Sequence, residues 1–178
     1  MADPRFIHLR THTEYSLLEG ALRLKKLPGM CADMGMPAVA VTDTNNLFAA
    51  LEFSVGAAGA GVQPIIGCQI DLRYFEHAPG ERIRPPAPVV LLAQTERGYE
   101  HLMKLNSCLY LRRDNELAHV TLDELEAHSE DVICLSGGPD GPVGRLLRTN
   151  SRAAAQTLMT RLHSIFEDRL YVELQRHP

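Results

Sequence analysis

The 178-residue chain lacks several features that would place it at once. None of its four cysteines stands in a CxxC pair. Cys31, Cys68, Cys108 and Cys134 are scattered, which argues against a zinc knuckle and suits reduced, mostly buried thiols in a cytoplasmic protein. No apolar run reaches the length of a membrane span, so no membrane partner is expected. The opening MADPRFIHLR has no apolar h-region, so no signal peptide is expected either. A basic excess is missing too. There are 22 acidic and 18 basic side chains, for a formal charge of −4. A domain that grips nucleic-acid phosphates by itself carries a surplus of lysine and arginine. Arg23, Lys25 and Lys26, and likewise Arg112 and Arg113, read as small solvated patches. There is no nucleophile elbow and no internal repeat.

What is present is the material of a globular core, with 45% hydrophobic and 22% charged residues. Six short apolar runs read as strands, at residues 5–9, 38–42, 63–72, 88–93, 132–136 and 170–174. Several are almost continuously apolar, as in strands buried on both faces of a parallel sheet. Helical spacing lies between them. Residues 22–34 carry Leu24, Leu27, Met30, Cys31 and Met34. Residues 46–60 carry Leu47, Leu51 and Val55, and residues 96–111 carry Leu102, Leu105 and Leu109. Thr121 and Glu124 match a capping box. Ser151 can cap a last helix with Leu158, Leu162 and Ile165 inward. Alternation of strand and helix implies an α/β fold with a parallel sheet and right-handed crossovers. The Pro/Gly-rich, charged stretch at about 75–88 reads as a surface excursion, and 112–119 as a polar loop. The glycines at 56, 59 and 61 read as a helix C-terminus and turn. Those at 137, 138 and 141 follow a strand and read as a flexible loop without the lysine of a phosphate-binding loop.

In a βα barrel the chemistry sits where strands end. The strand ends here carry His8, Arg10, His12 and Glu19, then Asp43, Thr44, Asn45 and Asn46, then Gln69 and Asp71, Gln94, Ser136, and lastly Glu173, Gln175, Arg176 and His177. Imidazole and carboxylate at successive strand ends are what a metallohydrolase needs. Polar residues also collect at loop starts in any barrel, because loops meet water. Spacing leaves both readings open. His101, His128 and His163 fall on helices and read as surface or packing residues.

The segments HLRTHTEYSLLEGALRL, MPAVAVTDTNNLFAALEF, GVQPIIGCQIDL, VVLLAQTERGYEHLMKLNS, ICLSGG and IFEDRLYVEL, in that order, resemble the N-terminal region of the alpha-subunit family of bacterial replicative DNA polymerases (DNA polymerase III). That region is the polymerase and histidinol phosphatase (PHP) domain. The resemblance implies a distorted (β/α)7 barrel with a metal centre at the strand C-termini. About six βα units would be present, in a single, C-terminally incomplete domain spanning 1–178. At the family's ligand positions His12, Glu19, Asp43 and His177 are retained or similar. Arg10, Thr44, Gln69, Pro88 and Gly138 stand where ligands are lost.

A guanidinium remains protonated and can take the place of a cation. Arg10 is therefore expected to pair with Asp43 or Glu19 in a network that replaces the metal. The resemblance then implies a non-catalytic scaffold, with no cofactor of its own, that docks the epsilon proofreading exonuclease. The rest of the alpha chain and holoenzyme would be its other partners. DNA would be reached through the parent chain, whose polymerase domain uses Mg. The alternative is a metal-dependent phosphoesterase, pyrophosphatase or exonuclease holding Zn or Mn on His12, Glu19, Asp43 and His177. In a barrel left open, the exposed strand edges would favour dimerisation or partial disorder.

Overall fold

The computed structural model describes residues 6–75, 84–111 and 117–175. The chain divides into two compact units, residues 1–69 and 70–178. Both mix α and β structure, with six strands among the described residues.

The first unit holds α1 (Leu27–Asp33), β1 (Ala38–Val41), α2 (Ala50–Gly59) and the start of β2 (Gln63–Arg73). β1 pairs β2 in parallel, with Ala38 opposite Gln63 and Val41 opposite Ile66. All four residues of β1 are buried, the pattern of a strand covered on both faces. The expected first strand is a single parallel bridge, His8 to Val39, among the residues described there. α1 is shorter than its apolar spacing suggested. It starts at Leu27 with Pro28 in its first turn, where the missing proline N–H costs nothing. Its core-facing residues Leu27 and Cys31 join Leu24, Val39, Val41, Phe53, Ala57 and Val62 in one apolar cluster.

α2 departs from expectation in its orientation. Leu51 and Val55 face outward, and Ala50, Phe53 and Ala57 are buried. The helix is apolar on both sides, so spacing alone cannot choose a face. Packing selects the side with the aromatic ring, since Phe53 removes more apolar surface from water than Leu51. The helix ends as read, at Gly59, with Gly61 at φ 74°.

The second unit holds the rest of β2, then β3 (Ala87–Ala93), α3 (Glu96–Leu111), β4 (Val120–Thr121), α4 (Leu122–Ala127), β5 (Val132–Leu135), α5 (Pro142–Arg148), α6 (Arg152–Phe166) and β6 (Leu170–Tyr171). β4 pairs β2 in parallel, and β6 pairs β5 in parallel. β3 and β5, however, are antiparallel, with Val90 opposite Leu135 and Ala93 opposite Val132. This corrects the all-parallel expectation. A parallel crossover needs a returning helix, and the sequence carries no helical pattern between β2 and β3. The excursion at 75–88 lies mostly outside the described residues, as do Arg112 and Arg113.

The helices of this unit behave largely as their spacing predicts. α3 buries Leu102, Leu105 and Leu109, and with them His101. α6 buries Leu158, Leu162, Ile165 and Phe166. The Thr121–Glu124 capping box is formed in both directions. Ser151 does not cap α6. Its hydroxyl is turned back toward Thr149, whose carbonyl it meets at 3.5 Å.

Candidate functional site

The polar centre lies in the first unit, where residues 8–22 run beside β1. Ala40 N–H donates to the His8 carbonyl at 2.8 Å, and Thr42 N–H to the Thr11 carbonyl at 2.9 Å. Beyond Thr13 the chain makes a tight closed loop. Gly20 N–H returns to the Ser16 carbonyl at 2.8 Å, and Glu14 N–H donates to the Leu22 carbonyl at 2.9 Å. Only glycine fits at position 20, because a Cβ there would lie 1.7 Å from the Thr13 carbonyl oxygen.

β1 delivers Asp43 to the base of this loop, 1% exposed. One carboxylate oxygen accepts from Thr13 N–H and from Ser16 Oγ, each at 2.6 Å. The other accepts from Thr13 Oγ1 at 2.7 Å. Ser16 Oγ in turn accepts from Thr44 N–H at 3.0 Å. Buried charge is tolerated only when donors meet it, and three do. Thr13 and Ser16 went unnoticed in the sequence. The spacing of two hydroxyl residues just before a tight turn was the available signal.

A second chain of contacts links three of the positions where ligands are lost. Arg10 donates Nε and Nη2 to Gln69 Oε1, at 3.1 and 2.7 Å. Gln69 Nε2 donates to Thr44 Oγ1 at 3.1 Å. Thr44 Oγ1 donates to Glu19 Oε2 at 2.6 Å. His12 Nδ1 stands 3.6 Å from the same Glu19 oxygen, and its Nε2 is buried without a hydrogen-bond partner. The expected pairing of Arg10 with Asp43 or Glu19 is thus corrected. Asp43 is occupied by the loop and Glu19 by Thr44, so the guanidinium turns to the Gln69 amide oxygen.

Beside this chain lies a cavity of about 530 Å³. Arg10, His12 and Glu19 form its polar rim, and Leu22, Leu27, Met30, Met34 and Met36 its apolar wall. A divalent cation needs converging carboxylates and imidazoles with free lone pairs. Here a guanidinium reaches into the donor set, and the Asp43 lone pairs are engaged by neutral donors. Among the described residues no group of three or more His, Cys, Asp or Glu is placed to hold a metal ion.

The remaining ligand positions lie in the second unit. Pro88 is in β3, and Gly138 opens a 3-10 turn spanning Gly138–Asp140. The glycines here make a tight turn rather than a loose loop. Gly137 has φ 79°, and a Cβ on it would lie 2.0 Å from the Pro88 carbonyl oxygen. Glu173 N–H donates to Ser136 Oγ at 3.0 Å, and Gln175 Nε2 to Glu173 Oε1 at 2.7 Å. Arg176 and His177 lie outside the described residues. Arg23, Lys25 and Lys26 are exposed to solvent. His101 is buried with Nδ1 3.0 Å from the Glu130 carbonyl, and His163 is exposed. No helix among the described residues is long and apolar enough to cross a membrane.

Comparison with known proteins agrees with the fold. DNA polymerase III subunit alpha of Caulobacter vibrioides is 45% identical over 174 residues, which cover 97% of this chain and 15% of that one. The protein of the same name from Pseudomonas aeruginosa is 38% identical over 96% of this chain and 14% of its own. That of Rickettsia felis is 37% identical over 98% of this chain and 14% of its own. The chain thus spans about 15% of the length of the curated relatives it matches. The family described as the PHP domain matches residues 8–177, nearly end to end, and the chain belongs to that family.

Proposed function

We propose that this chain is the N-terminal PHP domain of the alpha subunit of a bacterial replicative DNA polymerase, a cytoplasmic nucleotidyltransferase. In this reading residues 1–178 form one PHP domain, and DNA synthesis is carried out by other parts of a longer chain. The domain itself is a non-catalytic scaffold that docks the epsilon proofreading exonuclease and carries no metal.

One observation carries the scaffold reading. Three positions at which the family's ligands are lost, Arg10, Gln69 and Thr44, are hydrogen-bonded to one another in series and on to Glu19. Each substitution supplies a donor or acceptor that the next one uses. In this reading the Arg10 guanidinium and the Gln69 amide stand in place of an ion.

The test is calorimetric titration of the intact polypeptide with Mn and Zn, beside phosphoesterase and pyrophosphatase assays. The expected result is no stoichiometric binding and no turnover. Tight binding, with turnover that disappears in Asp43→Asn, would establish the metal-dependent phosphoesterase instead.

A further inference from the structure

α2 carries two apolar stripes, and the first unit uses only one. Ala50, Phe53 and Ala57 are buried against the core. Phe48, Leu51 and Val55, at helical spacing on the other side, are 70%, 78% and 68% exposed. Apolar side chains on the solvent side of a helix mark a face that a partner can cover. Farther along the outer face stand Ala58 and Gly59, also exposed. A side chain at Gly59 would meet nothing within 4 Å, so this unit's own packing does not require its small size.

The patch extends onto the closed loop. Tyr15 meets Phe48 edge to face, with ring centroids 6.3 Å apart. Asn46 Nδ2 ties the two segments by donating to the Tyr15 carbonyl at 3.1 Å. Leu17 and Leu18 at the loop tip are 83% and 107% exposed, and Leu18 holds φ 69°. A leucine in the left-handed region is strained. Asp43 and Gly20 fix the loop that presents it. A contiguous exposed apolar patch of this kind marks an interaction surface.

Its charge states what the partner must be. The stretches that carry these side chains, 14–18 and 46–55, contain Glu14 and Glu52 and no lysine or arginine. A second copy of the same face would set carboxylates against carboxylates across a two-fold axis. We propose that the outer face of α2, with the 15–18 loop, docks an amphipathic helix of a partner protein whose apolar side chains are flanked by lysine and arginine. The partner's identity rests on the docking reading above. The surface and its chemistry rest on the exposure and charge of these residues.

The test measures binding of purified epsilon exonuclease to the intact polypeptide. Leu51→Glu with Val55→Glu is expected to weaken it tenfold or more, the scale of a hot-spot loss, at unchanged melting temperature. Leu51→Met with Val55→Ile is expected to bind as wild type. Glu52→Lys, which leaves the apolar face intact, is expected to weaken binding and flatten its salt dependence, and it serves should the double variant not fold. Equal binding by all variants overturns this inference and leaves the docking reading standing. No binding by the wild-type chain overturns both. A change in oligomeric mass in the Leu51→Glu, Val55→Glu variant assigns the face to a second copy and overturns the inference as well.

Discussion

A carboxylate at 1% exposure has to be met by donors, and Asp43 is met by the loop it anchors. Thr13 and Ser16 together supply one backbone N–H and two hydroxyls. Replacing Asp43 with alanine strands all three donors and is expected to cost about 3 kcal/mol, read as a lower urea midpoint at unchanged slope. Gly20 acts on the same loop from the other side. In Gly20→Ala the new methyl meets the Thr13 carbonyl, so a loss of about 2 kcal/mol is expected from thermal unfolding. Asp43 was visible in the sequence as a retained ligand position, but its role was not. Whether a carboxylate binds an ion or caps a turn depends on which donors reach it first, and those come from residues about thirty positions away.

Elements whose signals are local came out as their residues dictate. The Thr121–Glu124 box closes because both partners lie within one helical turn. Thr121→Ala should cost about 1 kcal/mol, measurable by chemical denaturation. In α6 the stripe through Leu158, Leu162 and Ile165 faces the core, and Leu162 is fully buried. Leu162→Ala is expected to cost about 3 kcal/mol in the same experiment. Ser151 shows the limit of such local signals. A suitable residue stood at the right place, yet neighbouring Thr149 offered its hydroxyl a competing partner. α2 shows the limit of periodicity, since a helix with two apolar stripes has no preferred face until something packs against it.

At the scale of the whole molecule, ionisation reports the fold. Burial pushes the Cys134 thiol up to about 12. Its reaction with a thiol reagent at pH 8 should therefore await opening of the fold, whereas half-buried Cys108 should react first. The His128 imidazole is held below its ordinary range, first by burial, then by the neighbouring His101 and Lys104. The unfolded chain takes up that proton near pH 6.5 and the folded chain only at lower pH. Stability is therefore full above about 6.5 and falls as pH drops through that value, and His128→Gln should flatten the slope of the unfolding midpoint against pH.

The resemblance to the PHP family marked the ligand positions whose side chains had changed type, and composition and periodicity were enough to establish a mixed α/β chain and the order of most of its elements. These are properties of neighbours along the chain, and local backbone preference fixes them. The outward turn of α2, the antiparallel meeting of β3 with β5, and the choice of Gln69 over Asp43 or Glu19 by Arg10 were settled only in three dimensions. Each is a competition among groups far apart in sequence for the same surface or lone pair. The winner is set by distance and prior occupancy, which no single segment encodes.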